Sequence, residues 1–374
     1  MKNINLFIVV FALANSCVKI PSDNDYPDIS KYTIYVAGQP DYRIGCYWKN
    51  GERTDLTTTE NYMRATTTGI SVSGGNVYVS GHYKFGDMSY HAPCYWKNGI
   101  KTDLPLNGNR GGYTNDIFVS GSDVYVAGMV TAAIKDYREI LQPCYWKNNT
   151  LIEITDYPVL FDIIIDMDYD SPMALPPVEL TCIYVSGSDV YIGGNYDLGG
   201  KNGDFWGEPK QACYWKNGDR TDLPGNNSFV NGIFVEGGKV YISGGYDFIS
   251  PGYQKSKFGR PCYWMDGKKV DLTNKGNGAA YTSGIFVEKG TVYVSGHAYN
   301  ARGPNSCYWK DKSITLFDNK SLYTSSIFVK DGIVFICGAI NEMSYTIPCY
   351  WANKKRIELS VIERDGDAIA ISVE

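Results

Sequence analysis

The chain has 374 residues, with 35 lysines and arginines against 40 aspartates and glutamates, so its formal net charge is −5. This charge argues against a nucleic-acid-binding protein, which usually carries a basic face, and we expect no nucleic-acid partner. With 44% hydrophobic residues the chain can bury a full core, and its 40 glycines and 31 tyrosines favour sheet and tight turns over helices.

The first 31 residues predict an export signal followed by a tether. Lys2 precedes an apolar run over residues 4–14, which is too short for a bilayer span of about 20 residues. We therefore predict a signal peptide over residues 1–16 and a flexible tether over residues 17–31. The residues before Cys17 resemble a relaxed bacterial lipobox, which implies that Cys17 is lipidated and anchors the chain to the outer membrane or the cell surface. The alternative is a secreted protein in which Cys17 has no such role.

The most informative feature is a repeated triplet, Cys-Tyr-Trp. Each copy of the triplet follows a run such as Val-Tyr-Ile-Ser-Gly at 240–244 and precedes Lys-Asn-Gly or a related turn. Asn-Gly, Asp-Gly and Gly-Gly between apolar runs favour tight hairpins, so each copy predicts four short antiparallel strands. Seven such units predict an all-β fold, a seven-bladed β-propeller over residues 32–374. The triplet Cys-Tyr-Trp marks the copies at Cys46, Cys94, Cys144, Cys213, Cys262, Cys307 and Cys349.

The two ends of the repeat predict how the ring closes. The unit around Cys46 lacks a first strand, and residues 368–373 match a first strand that has no successors. We predict that this C-terminal strand pairs with the N-terminal blade, which removes the open edges of the ring. The alternative is an open array with an orphan strand at each end.

The cysteines predict neither disulfides nor a zinc site. Equivalent positions on neighbouring blades lie farther apart than the ~7 Å that a disulfide allows between Cα atoms. We expect buried thiols between the sheets, with the tryptophan of each triplet on the opposite face of its strand. No close Cys or His pair has zinc-ligand spacing, and we expect no cofactor. Calcium at Asp166, Asp168 and Asp170 is a weak alternative to a solvated acidic loop.

The connections predict a binding face. Strand-two to strand-three loops and blade-to-blade links vary in length and emerge on one side, whereas the other turns are tight, so we expect the binding residues on that rim. Tyrosines there suit a glycan, peptide or protein partner, although packing between blades is the alternative interpretation. Packing is favoured for Tyr113, Phe229, Tyr281 and Tyr323, which precede first strands. The candidate ligand-binding residues are His82, Tyr83, Tyr196, Asp197, Tyr246, Asp247, Arg260, His297, Tyr299 and Arg302.

The glycine pairs at 193–194 and 244–245 resemble the double glycine of kelch repeats, whereas the adjacent Tyr and Trp depart from the kelch pattern. The whole unit resembles repeats of bacterial β-propeller lipoproteins, which implies an exported, lipid-anchored propeller and carries no established activity. The Asp boxes of sialidases are absent from the sequence. Our leading hypothesis is a monomeric, membrane-tethered extracytoplasmic binding module rather than an enzyme. The alternatives are a hydrolase or lyase using Asp197, Asp247 or a histidine at the channel mouth, and a structural scaffold in an envelope complex.

Overall fold

A computed structural model of the protein confirms the seven-bladed propeller. In the described part of the chain, 28 strands form seven four-stranded antiparallel sheets. No helix in that part is long and apolar enough to cross a membrane. The predicted signal peptide and Cys17 lie outside the described residues. The structure describes residues 27–41, 44–56, 64–84, 90–135, 138–157, 178–198, 210–247, 259–273, 279–300, 303–318, 320–342, 345–361 and 365–374.

Blades two to seven each use four consecutive strands, numbered from the innermost outward. Blades two and three contain β4 (Arg64–Ser73), β5 (Asn76–Lys84), β6 (His91–Lys97), β7 (Ile100–Asp103), β8 (Gly112–Ser120), β9 (Asp123–Lys135), β10 (Arg138–Lys147) and β11 (Thr150–Glu153). Blades four and five contain β12 (Val178–Ser186), β13 (Asp189–Asp197), β14 (Lys210–Lys216), β15 (Asp219–Asp222), β16 (Phe229–Glu236), β17 (Lys239–Tyr246), β18 (Arg260–Met265) and β19 (Lys268–Asp271). Blades six and seven contain β20 (Ala280–Glu288), β21 (Thr291–Asn300), β22 (Gly303–Lys310), β23 (Ser313–Asp318), β24 (Ser321–Lys330), β25 (Ile333–Glu342), β26 (Tyr345–Ala352) and β27 (Lys355–Glu358).

Blade one is built from both ends of the chain. The C-terminal strand β28 (Asp367–Val373) is its first strand, followed by β1 (Ile34–Gln39), β2 (Cys46–Lys49) and β3 (Glu52–Asp55). The seven first strands contact one another in a complete circle, with β28 touching both β24 and β4. The ring is therefore closed by its own termini, as the sequence predicts.

The Cys-Tyr-Trp triplet fills the space between blades. Cys46 and Trp48 are fully buried in one cluster with Phe335 of blade seven, whereas Tyr47 is half-buried and packs towards blade two. The expectation that the tryptophan lies opposite the cysteine was wrong, because residues two apart on a strand share a face. All seven triplet tryptophans are buried in this way. The nine cysteines in the described part of the chain are buried and unpaired.

In six of the seven blades the triplet tryptophan also explains a glycine of the repeat. A Cβ on Gly244 would overlap the carbonyl of Phe229 and lie 2.8 Å from the Trp264 ring. The Trp264 indole N–H donates a hydrogen bond to the carbonyl of Pro224 (3.0 Å), in the link that enters this blade. Small size at Gly244 thus lets the indole fasten blade five to the preceding link.

The Lys-Asn-Gly turns tie three strands together. Asn217 begins the turn between β14 and β15 with a left-handed φ of 53°. Its side-chain oxygen accepts the N–H of Val190 on β13, and its own N–H donates to the Val190 carbonyl, both at 2.9 Å. Asparagine and aspartate tolerate this backbone region better than most residues. We call this pair of hydrogen bonds the clasp. It recurs at Asn50, Asn98, Asn148, Asp266, Asp311 and Asn353.

Candidate functional site

The two ends of the blades differ in their connections. Two-residue turns such as Gly237-Gly238 join first to second and third to fourth strands on one side, which we call the turn side. In antiparallel blades the second-to-third connections and the blade-to-blade links must emerge at the opposite end, which we call the loop side. Several hairpins extend farther than the sequence suggested: β21 and β22 pair as far as Asn300 and Gly303. His82, Tyr83, His297 and Tyr299 consequently lie on strands instead of in loops.

Two candidate tyrosines face outward across their own blades. Tyr196 is 7% exposed, and its hydroxyl donates to the Asp222 carboxylate (3.0 Å) at the end of β15. Burial and Asp222 together raise the pKa of Tyr196 to about 12. Tyr246 is 4% exposed and donates in the same way to Asp271 (2.9 Å). These contacts brace the second strand against the fourth, which is the packing interpretation of these positions.

Positively charged side chains also contact the tyrosines at these positions. The Arg260 guanidinium donates to the Tyr246 hydroxyl at 3.1 Å. Tyr83 occupies the equivalent position in blade two, where the Lys101 ammonium lies 3.9 Å from its ring centre. Tyr83, Tyr196 and Tyr246 therefore do not converge on one pocket, and Arg260 is engaged with one of them.

Three rings meet between blades two and three, and we call them the blade-two cluster: His82, His91 and Tyr113. The ring centres of His82 and His91 are 5.2 Å apart, and Tyr113 lies 5.3 Å from His82 and 4.8 Å from His91. His82 pairs with Pro93 and Lys84 with His91, so the two histidines are diagonal neighbours on one face of the β5–β6 hairpin. Burial, and then the proximity of His91, lower the pKa of His82 to about 4, so His82 is neutral at pH 7.

A second group of rings lies in blade six, and we call it the blade-six cluster: Tyr281, His297 and Tyr299. His297 lies opposite Tyr281 in the β20–β21 ladder, and their rings stack with centres 5.2 Å apart and planes at 24°. Tyr299 meets His297 edge-on at 5.4 Å. Burial lowers the pKa of His297. All six rings of the two clusters are half-buried.

The other candidates are dispersed. Asp197 ends β13 opposite Lys210. Asp247 follows β17 with a left-handed φ of 57°, and its N–H donates to the carbonyl of Asn226. Arg302 and the acidic residues Asp166, Asp168 and Asp170 lie outside the described residues.

A polar contact between two blades near the axis of the ring was not predicted from the sequence. Each first strand is bulged at the same point, and in blade three this places Asp116 between two blades. Its carboxylate accepts the N–H of Ile117 (2.8 Å) and that of Ile183 in blade four (3.0 Å). Burial raises the pKa of Asp116 to about 7. The available signal was an aspartate where the other first strands carry only small side chains, at Gly69, Cys182, Gly232, Gly284, Ser326 and Ala370.

An aromatic belt on the same strands was also missed. Rings from five consecutive blades contact one another at interplanar angles of 46–49°, with neighbouring centres 4.5 to 4.8 Å apart. Blades two and one have Ser71 and Ser372 at the equivalent positions. The recurring Ile-Phe-Val or Ile-Tyr-Val of the first strands was the signal for it. The belt consists of Phe118, Tyr184, Phe234, Phe286 and Phe328.

No protein-family model and no curated protein matches the chain. Solved structures of similar architecture include an acylaminoacyl peptidase of Pyrococcus horikoshii, with 11% identity, a TM-score of 0.46, and coverage of 79% of this chain and 46% of that one. A Trypanosoma rangeli sialidase in complex with sialic acid has 12% identity and a TM-score of 0.41, over 81% and 56% of the two chains. The β-propeller domain of the trilobed protease of Pyrococcus furiosus has 9% identity and a TM-score of 0.38, over 79% and 97%. This chain spans about half the length of the first two proteins, and these likenesses carry no argument about activity.

Proposed function

We propose that the protein is an extracytoplasmic binding module that presents its loop side to a glycan, peptide or protein partner. The observation that carries this proposal is the pair of half-buried ring clusters in blades two and six, on the side where the variable connections emerge. Tyrosine and imidazole rings offer flat faces with polar edges, and such groups bind sugars and aromatic side chains with a small ordering cost.

The proposed location follows from the N-terminus and from the resemblance to bacterial propeller lipoproteins. A lipid on Cys17 would hold the monomeric ring at the outer membrane or the cell surface. Metabolic labelling with a palmitate analogue tests this: the full chain takes up label, and Cys17→Ser does not. Label on the serine variant, or none on the natural chain, would refute lipidation while leaving the binding proposal open to its own test.

The hydrolase or lyase alternative has one observation in its favour. Burial raises the pKa of the Asp116 carboxyl group to about 7, which suits general acid–base work. Both of its oxygens, however, accept backbone N–H groups that join two blades. This arrangement serves the blade joint better than it serves proton transfer, so we favour binding.

The binding proposal is tested with arrays of glycans and cell-envelope proteins and with four forms of the full chain. We expect the natural chain to bind a defined set of spots, and Tyr113→Ala and Tyr281→Ala to lose at least ten-fold in affinity for them. The control is Ile100→Ser, which removes an apolar side chain, 74% exposed, on the turn side, and it should bind normally. Absence of any signal, or equal loss in the control, would contradict the proposal. Retained binding in both tyrosine variants would indicate that partners contact the outer surface of the ring, and would favour the scaffold alternative.

A further inference from the structure

The blade-two cluster brings together two of the three histidines of the chain. They are nine positions apart in sequence and meet only because the β5–β6 ladder extends to the pair Lys84 and His91. The spacing of the histidines in the sequence does not indicate this pair. We propose that His82 and His91 form a binding site for a divalent transition metal ion of the zinc, nickel and copper group.

The distance between the two rings matches this use. An imidazole nitrogen lies about 1.15 Å from the ring centre and binds zinc at about 2.0–2.1 Å, so two imidazoles on one tetrahedral ion have centres about 5.2 Å apart. The centres of His82 and His91 are 5.2 Å apart. Nδ1 of His82 is also buried without a hydrogen-bond partner among the described residues. A bound ion would coordinate this nitrogen and so offset the cost of burying it without a hydrogen bond.

The site would have open coordination positions. In the described part of the chain, no group of three or more His, Cys, Asp or Glu side chains is placed to hold a metal ion. Among the described residues the site thus has two nitrogen ligands, and other groups such as water or an anionic group of a ligand complete the shell. Tyr113 covers both imidazoles from blade three and restricts access from that side. Imidazole and the open positions favour zinc, copper and nickel over magnesium or calcium, which prefer oxygen.

The chain contains its own control at the equivalent position of blade six. His297 corresponds to His82, because each follows the glycine of its second strand. The position of His91, three residues before the triplet cysteine, is Pro304 in blade six. His297 stacks on Tyr281 and meets Tyr299 edge-on, instead of contacting a second imidazole. Its Nδ1 is buried without a hydrogen-bond partner among the described residues, as in His82, so the two sites differ in the second imidazole. A metal site made by two histidines should therefore exist in blade two and be absent from blade six.

The experiment titrates the full chain, made without a polyhistidine tag and stripped with EDTA, with zinc and nickel chlorides in a calorimeter. We expect one ion per chain, at least ten-fold weaker binding in His82→Gln and in His91→Gln, and unchanged binding in His297→Gln. No binding by the natural chain, or equal loss in the His297→Gln control, would overturn the proposal.

Melting temperatures show whether each variant is folded, and a second measurement avoids variants altogether. The electron paramagnetic resonance spectrum of Cu²⁺ on the natural chain should show two imidazole nitrogens. A spectrum with oxygen ligands alone would overturn the proposal even if a substituted chain failed to fold. Because the proposal depends on the histidine pair alone, it stands or falls separately from the proposed binding of a glycan, peptide or protein.

Discussion

Aromatic side chains have different roles in the framework, by which we mean the contacts that recur from blade to blade, and in the loop-side clusters. In the framework, Trp264 is fully buried and its N–H is bonded to a neighbouring link. In the blade-six cluster, Tyr281 and His297 are half-buried, stack on each other and meet Tyr299 edge-on. The framework contacts recur from blade to blade, whereas each cluster occurs once. This difference indicates that repetition in this chain marks residues for stability and that departures from repetition mark candidates for recognition.

The largest expected effect comes from removing a framework tryptophan. Trp264→Ala deletes a fully buried indole and its hydrogen bond, and we expect a loss of about 3–5 kcal/mol in the free energy of unfolding. Tyr281→Ala, made in parallel, should cost less than half as much, because its ring is half-buried. Chemical denaturation of both variants gives the two values. Equal losses would remove the distinction between framework and cluster.

The next effect is a pH dependence that arises in the framework. The pKa of Asp116 is about 7 in the folded chain and ~3.9 in an unfolded one, so its contribution to stability is complete below that lower value and is lost as pH rises through 7. Between pH 5 and pH 8 it should reduce the free energy of unfolding by on the order of 3 kcal/mol. Asp116→Asn should be less stable at low pH but should lack this decline. Parallel pH profiles of the two proteins would contradict the assignment.

A smaller effect is expected at the glycine beside the tryptophan. Gly244→Ala forces a Cβ against the Phe229 carbonyl and the Trp264 ring, and such overpacking costs about 1–3 kcal/mol. Ser243→Ala is the neighbouring control, because the Ser243 hydroxyl is buried and has no hydrogen-bond partner among the described residues. We expect this control to be neutral or stabilising in thermal denaturation. A glycine variant as stable as the serine variant would show that the close contact is not needed.

The smallest expected loss of stability comes from the turn side, at Asp266. Asp266→Ala removes the acceptor for the Val240 N–H and leaves alanine in a left-handed backbone conformation, so we expect a loss of roughly 1 kcal/mol. Asp266→Asn keeps an acceptor oxygen and matches the residue at this position in five other blades. It should retain nearly all of the stability. A similar loss in both variants would mean that charge, and not the clasp, matters there.

The blade count was predictable because each triplet puts the same large side chain into the same gap. Closure was predictable because the missing first strand and the surplus last strand are complementary. The contacts of the side chains on the loop side were harder to predict from the sequence. Tyr196 and Tyr246 were predicted to face a rim, yet each reaches the fourth strand of its blade, where Asp222 and Asp271 accept its hydroxyl.

The histidine pair illustrates why such contacts escape a reading of the sequence. Its distance depends on how far the β5–β6 ladder continues, and the residues between the strands show no alternation that would set this length. His82 was therefore expected in a loop and His91 was not singled out, although the two are diagonal neighbours on a hairpin. Asp116 was missed for a related reason: its role appears only when two first strands from different blades are set side by side.

Native-state hydrogen exchange tests most directly whether the ring is closed by its own termini. We predict that the paired amides of β1 and β28 exchange as slowly as those of the β24–β25 pair, because both pairs are antiparallel ladders of a first and a second strand, each interrupted by at least one bulge. Exchange of β28 amides at the rate of an unstructured peptide, while the β24–β25 amides stay protected, would contradict the closed ring.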